Sequence, residues 1–378
     1  MNDRERYVKT LLFQPVDRVP LTPGDGREKT YKRWREEGLP EGMRLLPYAC
    51  EQLQIDHPCR HPAGRQEGVW DVSFRMIPTF EEKVLEHRDG HYIVQDWMGN
   101  VTEISDEYDY TYIRNAIDFV TRKWHKFPVE TRADFERMKE RYRIDDPARF
   151  PADLAERGQR VKDRTYPIRI NISGPFWQLR EWCGFEPLCM LFLDDPEFVR
   201  EMCDFWREFV DATLKRLLRH VVLDSLCVNE DMAYKEKPMI SPAMTREFLA
   251  PCYRQWGATL RAAGVPVFAV DSDGRIDELI PVWLECGVQA CEPIEVAAGC
   301  DIVAYRERFG ARMAYTGGVD KRAIAKGGTV LEREIDRVCS IMPQGGYIPG
   351  CDHGIPHDIP LANAVHFVRL LAERCGWK

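Results

Sequence analysis

Two aspartates separated by a single residue follow an apolar segment in the C-terminal half of this chain. Residues 266–269 are apolar or proline, and the sequence continues Val270-Asp271-Ser272-Asp273-Gly274. A buried strand that ends in closely spaced acids places negative charge at the edge of a sheet. Burial and mutual repulsion there raise a carboxyl pKa for proton transfer, or both acids bind a metal. Aspartates are also common N-cap residues, so the pair either forms a functional site or caps a following helix.

The pattern that contains these aspartates recurs through the C-terminal half, as an apolar segment, a polar or glycine-rich break and an amphipathic stretch. Six such units predict a parallel sheet with crossover helices, most simply a (β/α)8 TIM barrel, with a doubly wound open sheet as the alternative. In both folds the polar breaks converge at the C-terminal ends of the strands. The helical pattern after the first predicted strand continues to about Leu193. The six predicted strands lie within residues 166–172, 221–228, 266–270, 288–291, 312–315 and 346–348.

The N-terminal part of the chain, about residues 1–160, is expected to extend this barrel and to cover its mouth. Arg18-Val19-Pro20-Leu21-Thr22 is the best candidate for the first barrel strand. Asp96-Trp97-Met98-Gly99-Asn100, followed by the alternating residues 101–104, predicts a β-hairpin that turns at Gly99-Asn100 and lies over the mouth. We expect residues 1–378 to form one TIM-barrel domain, with the clearest βα units in residues 166–378.

The composition is typical of a single globular enzyme domain. The chain has 378 residues, of which 44% are hydrophobic and 30% charged. It has no apolar stretch of about 18 residues and opens with charged residues, so we expect no membrane span, no cleavable signal and a cytoplasmic location. Thirteen cysteines without a C-x-x-C pair indicate reduced thiols. The net charge of −8 argues against a nucleic-acid partner and disfavours a highly anionic substrate.

Several segments resemble the uroporphyrinogen decarboxylase superfamily, and more narrowly its decarboxylase-like proteins linked to corrinoid-dependent methyl transfer. The resemblance covers about residues 170–378 in the same order, implies a (β/α)8 barrel and is compatible with a homodimer. The segments that carry it are residues 229–235 (NEDMAYK), 239–242 (MISP), 270–274 (VDSDG), 317–322 (GGVDKR) and 345–360 (GGYIPGCDHGIPHDIP), together with Glu295 followed by residues 297–299.

The decarboxylases of this superfamily bind a tetrapyrrole with eight carboxylates through a segment of the form Arg-Gln-Ala-Gly-Arg-Tyr and one aspartate. At the corresponding place this chain has Thr22-Pro23-Gly24-Asp25-Gly26-Arg27-Glu28, in which only Gly26-Arg27 matches. An added carboxylate that faces an octa-anion is repelled by on the order of a kcal/mol or more at partial burial. The resemblance therefore disfavours decarboxylation in the heme pathway.

The methyltransferases of the superfamily hold zinc with a His-x-Cys-Gly element and a later Cys-Gly-Ile element. Asp271-Ser272-Asp273-Gly274 and His353-Gly354-Ile355 stand at these places, so every thiolate is replaced. The resemblance implies a metal site made by Asp271, Asp273 and His353, a hard O/N set suited to Zn²⁺, Fe²⁺ or Mn²⁺, with Cys351 as a further ligand candidate. The loss of the cysteines disfavours a thiol methylase of the coenzyme M type.

A role on the methyl-donor side fits these residues better. Moving a methyl group from an ether or amine to a reduced corrinoid requires an electrophilic heteroatom, activated by a carboxylic acid or by a Lewis-acid metal. Asp273 and Glu230 are the candidate acids, His353 the proton relay or ligand, and Asp271 the partner charge. The alternatives are a solvated acid pair at Glu230-Asp231 and a hydrogen-bonded core histidine at His353.

The residues expected to bind substrate lie in the polar breaks and at the start of the chain. Tyr234 and Lys235 are candidates for orienting a polar group, although Lys235 is also typical of a surface charge. Gly317-Gly318 predicts a close-approach turn at the mouth, and Asp320 is a cap for the next helix. The full set is Arg27, Trp177, Arg180, Asp231, Tyr234, Lys235, Glu295, Gly317 and Gly318.

The resulting hypothesis is a methyltransferase that moves a methyl group from a small O- or N-methyl compound to a corrinoid protein. The corrinoid is expected on that partner rather than on this chain, and zinc or another divalent metal is the expected cofactor. One alternative is a decarboxylase of a tetrapyrrole or other cyclic carboxylic acid, favoured if arginines such as Arg27, Arg180 and Arg275 converge on the mouth. Another is a non-catalytic corrinoid- or tetrapyrrole-binding protein.

Overall fold

Two β-sheets organise residues 1–57, 71–107 and 121–378, the part of the chain that the computed structural model describes. An antiparallel sheet contains β1 (Lys83–Arg88), β2 (His91–Gln95), β3 (Val101–Ser105) and β4 (Lys123–Lys126), in that order. A parallel sheet contains β5 (Arg169–Ser173), β6 (Ser225–Asn229), β7 (Val267–Asp271), β8 (Ala290–Glu292), β9 (Ala314–Val319) and β10 (Tyr347–Cys351). All six strands expected from the sequence in residues 166–348 are present.

The parallel sheet follows the order of the sequence, because each strand from β5 to β9 pairs with the next strand along the chain. A doubly wound sheet reverses its order at a switch point, whereas a barrel adds strands consecutively. The consecutive order therefore favours the barrel over the doubly wound alternative. The described sheet has six strands, and its closure into an eight-stranded barrel stays a prediction.

Helices separate the parallel strands, as expected for βα units. The α-helices are Asp3–Leu11, Glu28–Glu36, Leu45–Gln52, Arg132–Lys139, Leu154–Arg160, Pro175–Cys183, Phe185–Asp194, Pro196–Leu217, Pro242–Met244, Ala250–Ala262, Ile280–Glu285, Ile302–Phe309, Lys321–Lys326, Gly328–Cys339 and Leu361–Cys375, and Thr245–Leu249 is a π-helix. Short 3₁₀ turns lie at Glu140–Tyr142, Pro147–Arg149, Val296–Ala298, Gly310–Arg312 and Met342–Gln344.

The single helix expected to continue to about Leu193 is two helices, divided at Gly184. This glycine has φ +83°, and a Cβ there would lie 2.2 Å from the Phe127 ring. The backbone conformation and the close ring both require glycine, so the chain changes direction at this point.

Asp320 caps a helix, as expected from the sequence. Its side chain accepts the N–H of Arg322 at the start of the helix Lys321–Lys326.

Residues 18–22, expected as the first barrel strand, form no regular strand. Pro20 lies within this segment and Pro23 follows it, and neither has an N–H group to donate to a sheet. The chain just after it instead meets the end of β10 through isolated contacts. The Cys351 N–H donates to the Pro23 carbonyl at 3.0 Å, and Gly26 forms a single parallel bridge with Ile355.

The N-terminal helix Asp3–Leu11 packs against one face of the parallel sheet. Leu11 and the neighbouring Tyr7 lie on a cluster of mostly small apolar side chains from the strands β6 to β10. Because side chains on a strand alternate between faces, the residue two positions further along each strand points to the same side, one layer nearer the strand ends. The cluster contains Cys227, Val267, Ala269, Ala290, Ala314 and Ile348.

No helix in the described ranges combines the length and apolar character needed to cross a membrane. No disulfide joins the cysteines of the same ranges.

Candidate functional site

A cavity of about 730 Å³ opens at the C-terminal ends of the parallel strands. Its lining includes the side chains one layer above the small apolar residues that pack on Leu11. Four of them are polar, and they come from four consecutive strands of the sheet. These residues are Asn229, Asp271, Glu292 and Thr316.

Three aspartates form the acid cluster of this cavity. Asp231 follows β6 by two residues, Asp271 ends β7, and Asp273 lies two residues beyond it. One carboxylate oxygen from each lies within 4.8 Å of the others. The helix after β7 begins only at Ile280, so the aspartate pair does not cap a helix, and the functional site stays a prediction.

Crowding and burial change the protonation of these acids. Burial raises the pKa of Asp271 to about 8, and the charges of Glu292, Asp231 and Asp273 add to the effect. Burial and the charge of Asp273 also raise the pKa of Asp231 above its ordinary value. In the metal-free protein the cluster therefore holds a proton near neutral pH, because full ionisation would place repelling carboxylates together.

The loops after β6 and β7 hold each other in place through their backbones. The Asp273 N–H donates to the Asp231 carboxylate at 3.1 Å, and the Met232 N–H donates to the Ser272 hydroxyl at 3.1 Å. Gly274 has φ +81°, and a Cβ there would lie 2.2 Å from the Ala233 carbonyl oxygen. A glycine is therefore required for the two loops to approach so closely.

His353, after β10, reaches the acid cluster from the other side of the cavity. Its Nε2 lies 2.9 Å from Oδ2 of Asp273, and this contact raises the pKa of the imidazole. The buried Nδ1 makes no hydrogen bond to the described part of the protein. Thus Asp273 and His353 form a proton-sharing pair that the sequence expectation had linked only by family resemblance.

An ion pair lies below the acid cluster and joins distant strands. Nη1 of Arg169, at the start of β5, donates to Oε2 of Glu292 at 2.9 Å, and Nη2 donates to the other carboxylate oxygen. The charge of Arg169 lowers the pKa of Asp271, whereas that of Glu292 raises it. Tyr7 also lines this part of the cavity.

Glu230, expected as a catalytic acid, is not among the residues that line the cavity. It is fully buried, and its carboxylate accepts the hydroxyl of Tyr253 and, at 3.1 Å, the backbone N–H of Trp177. Burial raises its pKa to about 7. Glu230 therefore does not line the cavity, whereas its neighbour Asp231 does, and the proton donation expected of Glu230 stays a prediction.

The other expected substrate-binding residues divide into three groups. Arg27, Trp177, Asp231 and Gly317 line the cavity. Tyr234 and Lys235 are exposed outside it, and the role expected for them stays a prediction. Arg180, Glu295 and Gly318 also lie outside the lining and support it: Arg180 donates to the Asp231 carbonyl at 3.1 Å, Glu295 accepts the Gly274 N–H at 2.9 Å, and the Gly318 N–H donates to the Pro293 carbonyl at 2.9 Å.

Gly317 and Gly318, expected in a turn, lie within β9. A Cβ on Gly317 would lie 2.3 Å from the Pro293 carbonyl oxygen, so the expected close approach is present although the turn is not.

Arginines reach the cavity, but only one of those named from the sequence is among them. Arg27, Arg44 and Arg169 line it, whereas Arg180 and Arg275 do not. Arg44 forms an ion pair with Asp25 at 2.8 Å. Arg27 and Arg44 both come from the N-terminal part of the chain, whereas Arg169 lies at the start of β5.

The expected hairpin is present, since β2 and β3 pair antiparallel and Gly99 turns with φ +90°. No residue of this hairpin is among the described residues that line the cavity. The N-terminal residues that line the cavity are instead Thr22, residues 24–27 and Arg44, together with Tyr7 beside the Arg169–Glu292 ion pair.

The polar cavity residues that the sequence expectation missed include Tyr7, Arg44, Arg169, Asn229, Glu292 and Thr316. A signal was present for two of them. Asn229 and Glu292 are the last residues of their strands, and they occupy the same register as Asp271. Tyr7 and Arg44 come from helices or loops far away in the sequence, where no local pattern marks them.

The donor atoms present fit a hard divalent cation. The acid cluster offers three carboxylate oxygens, and His353 adds an imidazole next to Asp273. Cys351 lines the same cavity, but burial raises the pKa of its thiol to about 12, which keeps it protonated rather than thiolate. The metal set expected from the sequence stays a prediction, and the geometry adds Asp231 to it.

Comparisons with known proteins were consistent with this architecture. The uroporphyrinogen decarboxylase of Sodalis glossinidius (strain morsitans) is 31% identical over 136 residues, which cover 30% of this chain and 38% of that protein. The uroporphyrinogen decarboxylase of Campylobacter lari is 28% identical over 134 residues, which cover 34% of this chain and 33% of that protein. The chain thus matches little more than a third of the length of these relatives.

A solved structure described as a methyltransferase from Methanosarcina mazei is similar in fold over 99% of both chains, with a TM-score of 0.54 and 13% sequence identity. The sequence profile described as uroporphyrinogen decarboxylase (URO-D) matches residues 117–374, which is more than half of the chain. The chain therefore belongs to the uroporphyrinogen decarboxylase family.

Proposed function

We propose that this protein is a methyltransferase that moves a methyl group from a small O- or N-methyl compound to a corrinoid protein. The observation that carries the proposal is the acid cluster. Three carboxylate oxygens lie within 4.8 Å of one another in a cavity of about 730 Å³, with His353 at 2.9 Å from one of the acids. Such a site stabilises positive charge on a methylated heteroatom and repels a polyanion.

The proton-sharing pair has a direct use in this reaction. When the bond between the methyl carbon and the heteroatom breaks, the heteroatom keeps the electron pair of that bond. The carbon is attacked by the electron pair of a reduced corrinoid, and the new carbon–cobalt bond forms there. A proton held between Asp273 Oδ2 and His353 Nε2 is placed to neutralise an oxygen leaving group, whereas the tertiary amine that departs from a quaternary ammonium donor is neutral without it.

Asp231, Asp271 and Asp273 are the residues that would hold a divalent cation, with His353 next to them. A cation bound there would supply Lewis acidity to the methylated heteroatom. The three carboxylates then orient the donor group, while Trp177 and Gly317 limit where the rest of the substrate lies.

The size of the cavity supports a corrinoid carried by another protein. Cavities of about 300–1,000 Å³ suit one small molecule, and a cavity of about 730 Å³ holds the methyl donor without room for a corrinoid as well. The strand-end mouth is then the face at which the partner delivers its cobalt.

We further propose that the six parallel strands belong to a closed (β/α)8 barrel in one domain. The Arg169–Glu292 pair, which joins β5 to β8 within the sheet, and the contact of Gly26 with Ile355 beside β10 support closure. A cytoplasmic location and a homodimer stay predictions.

Decarboxylation of a carboxylic acid is the second candidate, and Arg27, Arg44 and Arg169 in the cavity lining favour it. Two of these three are held by acids, since Arg44 pairs with Asp25 and Arg169 with Glu292. The cavity therefore offers less net positive charge than the number of arginines indicates.

The test is anaerobic incubation of the purified protein with a panel of methyl ethers and methylamines and with free reduced cobalamin. Methyl transfer is followed by the change in the cobalamin absorption spectrum, and carbon dioxide release is measured in parallel with a panel of cyclic carboxylic acids. We expect methylation of cobalamin that is lost in Asp273→Asn and kept in Glu236→Gln, a matched change of an exposed acid beyond β6. Carbon dioxide release instead would favour the decarboxylase, and tight corrinoid binding without either reaction would favour a binding protein.

A further inference from the structure

The helix Pro175–Cys183 begins without a cap of its own. Its N-cap residue is Gly174, which has no side chain to accept the first N–H groups of the helix. Glu230, from the loop after β6, takes that place: its carboxylate accepts the Trp177 N–H at 3.1 Å and also the N–H of Phe176. The helix is therefore capped by a residue from a neighbouring βα unit.

Gly174 makes room for this cap. A Cβ at Gly174 would lie 2.1 Å from Cδ of Glu230 and 2.3 and 2.5 Å from its two carboxylate oxygens. The backbone of Gly174 is extended, with φ −73° and ψ 168°, a conformation that any residue adopts. Glycine is thus needed here for space and not for its conformational freedom.

The same acid is tied to the loops of the cavity. The Glu230 N–H donates to the Asp271 carbonyl at 2.9 Å, and the Tyr253 hydroxyl donates to the Glu230 carboxylate. Arg180, one turn after Trp177, donates to the Asp231 carbonyl at 3.1 Å. The helix and the loop after β6 are therefore connected at two consecutive residues of that loop.

We propose that Glu230 is a positioning residue that fixes Trp177 on the cavity wall and Asp231 in the acid cluster at the same time. It acts through the backbone of the helix and of its own loop. Gly174 is the matching residue that admits the carboxylate. This inference is independent of the reaction proposed above, because its test needs no substrate.

The test is a double-mutant cycle with Gly174→Ala and Glu230→Ala, read out by the emission of Trp177. That emission is obtained by subtracting the spectrum of each variant in a Trp177→Phe background. We expect a shift of Trp177 emission to longer wavelength in each single variant, and at least about tenfold faster amide exchange at Phe176 and Trp177. The double variant should resemble Glu230→Ala alone, because without the carboxylate the added methyl group has room.

Two further variants separate positioning from general stability. Glu230→Gln keeps an acceptor for the Trp177 N–H and a partner for Tyr253, so it should restore the emission of the native protein. Asp352→Asn alters another buried acid, which accepts the Val296 N–H at 3.0 Å across the mouth, and should leave Trp177 emission unchanged.

The proposal is overturned if folded Glu230→Ala keeps the native Trp177 emission, or if the two substitutions act additively. If Glu230→Ala does not fold, Tyr253→Phe tests the same contact more mildly, and an unchanged Trp177 emission in that variant contradicts the proposal equally.

Discussion

The two ends of β6 carry acids in opposite electrostatic settings. Asp224, just before the strand, is 1% exposed, and its carboxylate forms ion pairs with Arg164 and, at 2.7 Å, with Arg4. The Ile168 N–H donates to the same carboxylate at 2.7 Å. Past the other end, Asp231 faces two further carboxylates within 4.8 Å. One end of the strand thus neutralises a buried charge, while the other gathers like charges.

The ion-paired Asp224 is expected to stabilise the fold, whereas the crowded acids near Asp231 are expected to bind a proton or a ligand. An acid whose oxygens are occupied by arginines and N–H groups contributes to folding and has no ligand atom to offer. Crowded carboxylates favour a proton or a cation among them, and their repulsion reduces the stability of the empty protein. We therefore predict that Asp→Asn substitutions at Asp224 and within the acid cluster change the free energy of unfolding in opposite directions.

The largest effect is expected at Asp273. Asp273→Asn keeps the shape of the side chain but cannot share the proton of His353 as a carboxylate does. We expect methyl transfer to fall by about 10²–10⁴-fold while the free energy of unfolding changes little. Single-turnover kinetics together with denaturant unfolding would check both parts, and an unchanged rate would show that Asp273 does not act in the reaction.

Asp224→Asn should instead lower stability. The substitution leaves the buried Arg164 without its counter-charge, and the free energy of unfolding should fall by about 3 kcal/mol. Urea unfolding at pH 7 measures this change. A variant as stable as the native protein would mean that the paired end of β6 is not a stabilising element.

Asp271→Asn should raise stability at pH 7 in chelator-treated protein, the opposite sign to Asp224→Asn. The pKa of Asp271 in the fold, about 8, lies above its value in the unfolded chain. Stability from its protonated form is therefore complete at about pH 4 and is lost as the pH rises toward 8. An amide avoids this loss, so we expect a gain on the order of 1–3 kcal/mol at pH 7 that disappears near pH 4. A gain of the same size at both pH values would contradict the linkage.

The affinity of the acid cluster for a divalent cation should depend on pH. A cation must displace the proton that Asp271 holds below about pH 8. We expect Mn²⁺ affinity to rise up to about tenfold per pH unit between pH 6 and 8 and to level off above it. Titration followed by electron paramagnetic resonance measures the affinity, and a flat profile would mean that the cation does not bind at Asp271.

The smallest effect is expected at Cys351. Its thiol stays protonated because burial raises its pKa to about 12. Cys351→Ala should therefore leave the metal content unchanged, whereas a loss of metal in this variant would make the cysteine a ligand. Elemental analysis distinguishes the two outcomes.

The sequence predicted the parts of the fold that depend on local pattern. Apolar segments ending in polar breaks located all six parallel strands, and the turn at Gly99 located the hairpin. Where that hairpin lies relative to the cavity depends on packing between distant segments, which no local pattern records.

The same limit applies to the site. The sequence indicated that Asp271, Asp273 and His353 lie together, but it gave a catalytic role to Glu230 and a substrate-binding role to its neighbour Asp231. Which of these adjacent acids faces the cavity depends on the positive φ of Asp231 and on the space left by Gly174, 56 residues earlier in the chain than Glu230. Such a contact has no signature in the residues around Glu230.

The most direct test of the account is the metal content of protein purified without a chelator, for the native chain and for Asp231→Asn, Asp271→Asn and Asp224→Asn. We predict about one divalent ion per chain in the native protein and in Asp224→Asn if it folds, and a loss in both cluster variants. A full complement of metal in the cluster variants, or no binding by the native protein when Mn²⁺ or Zn²⁺ is supplied at pH 8, would contradict it.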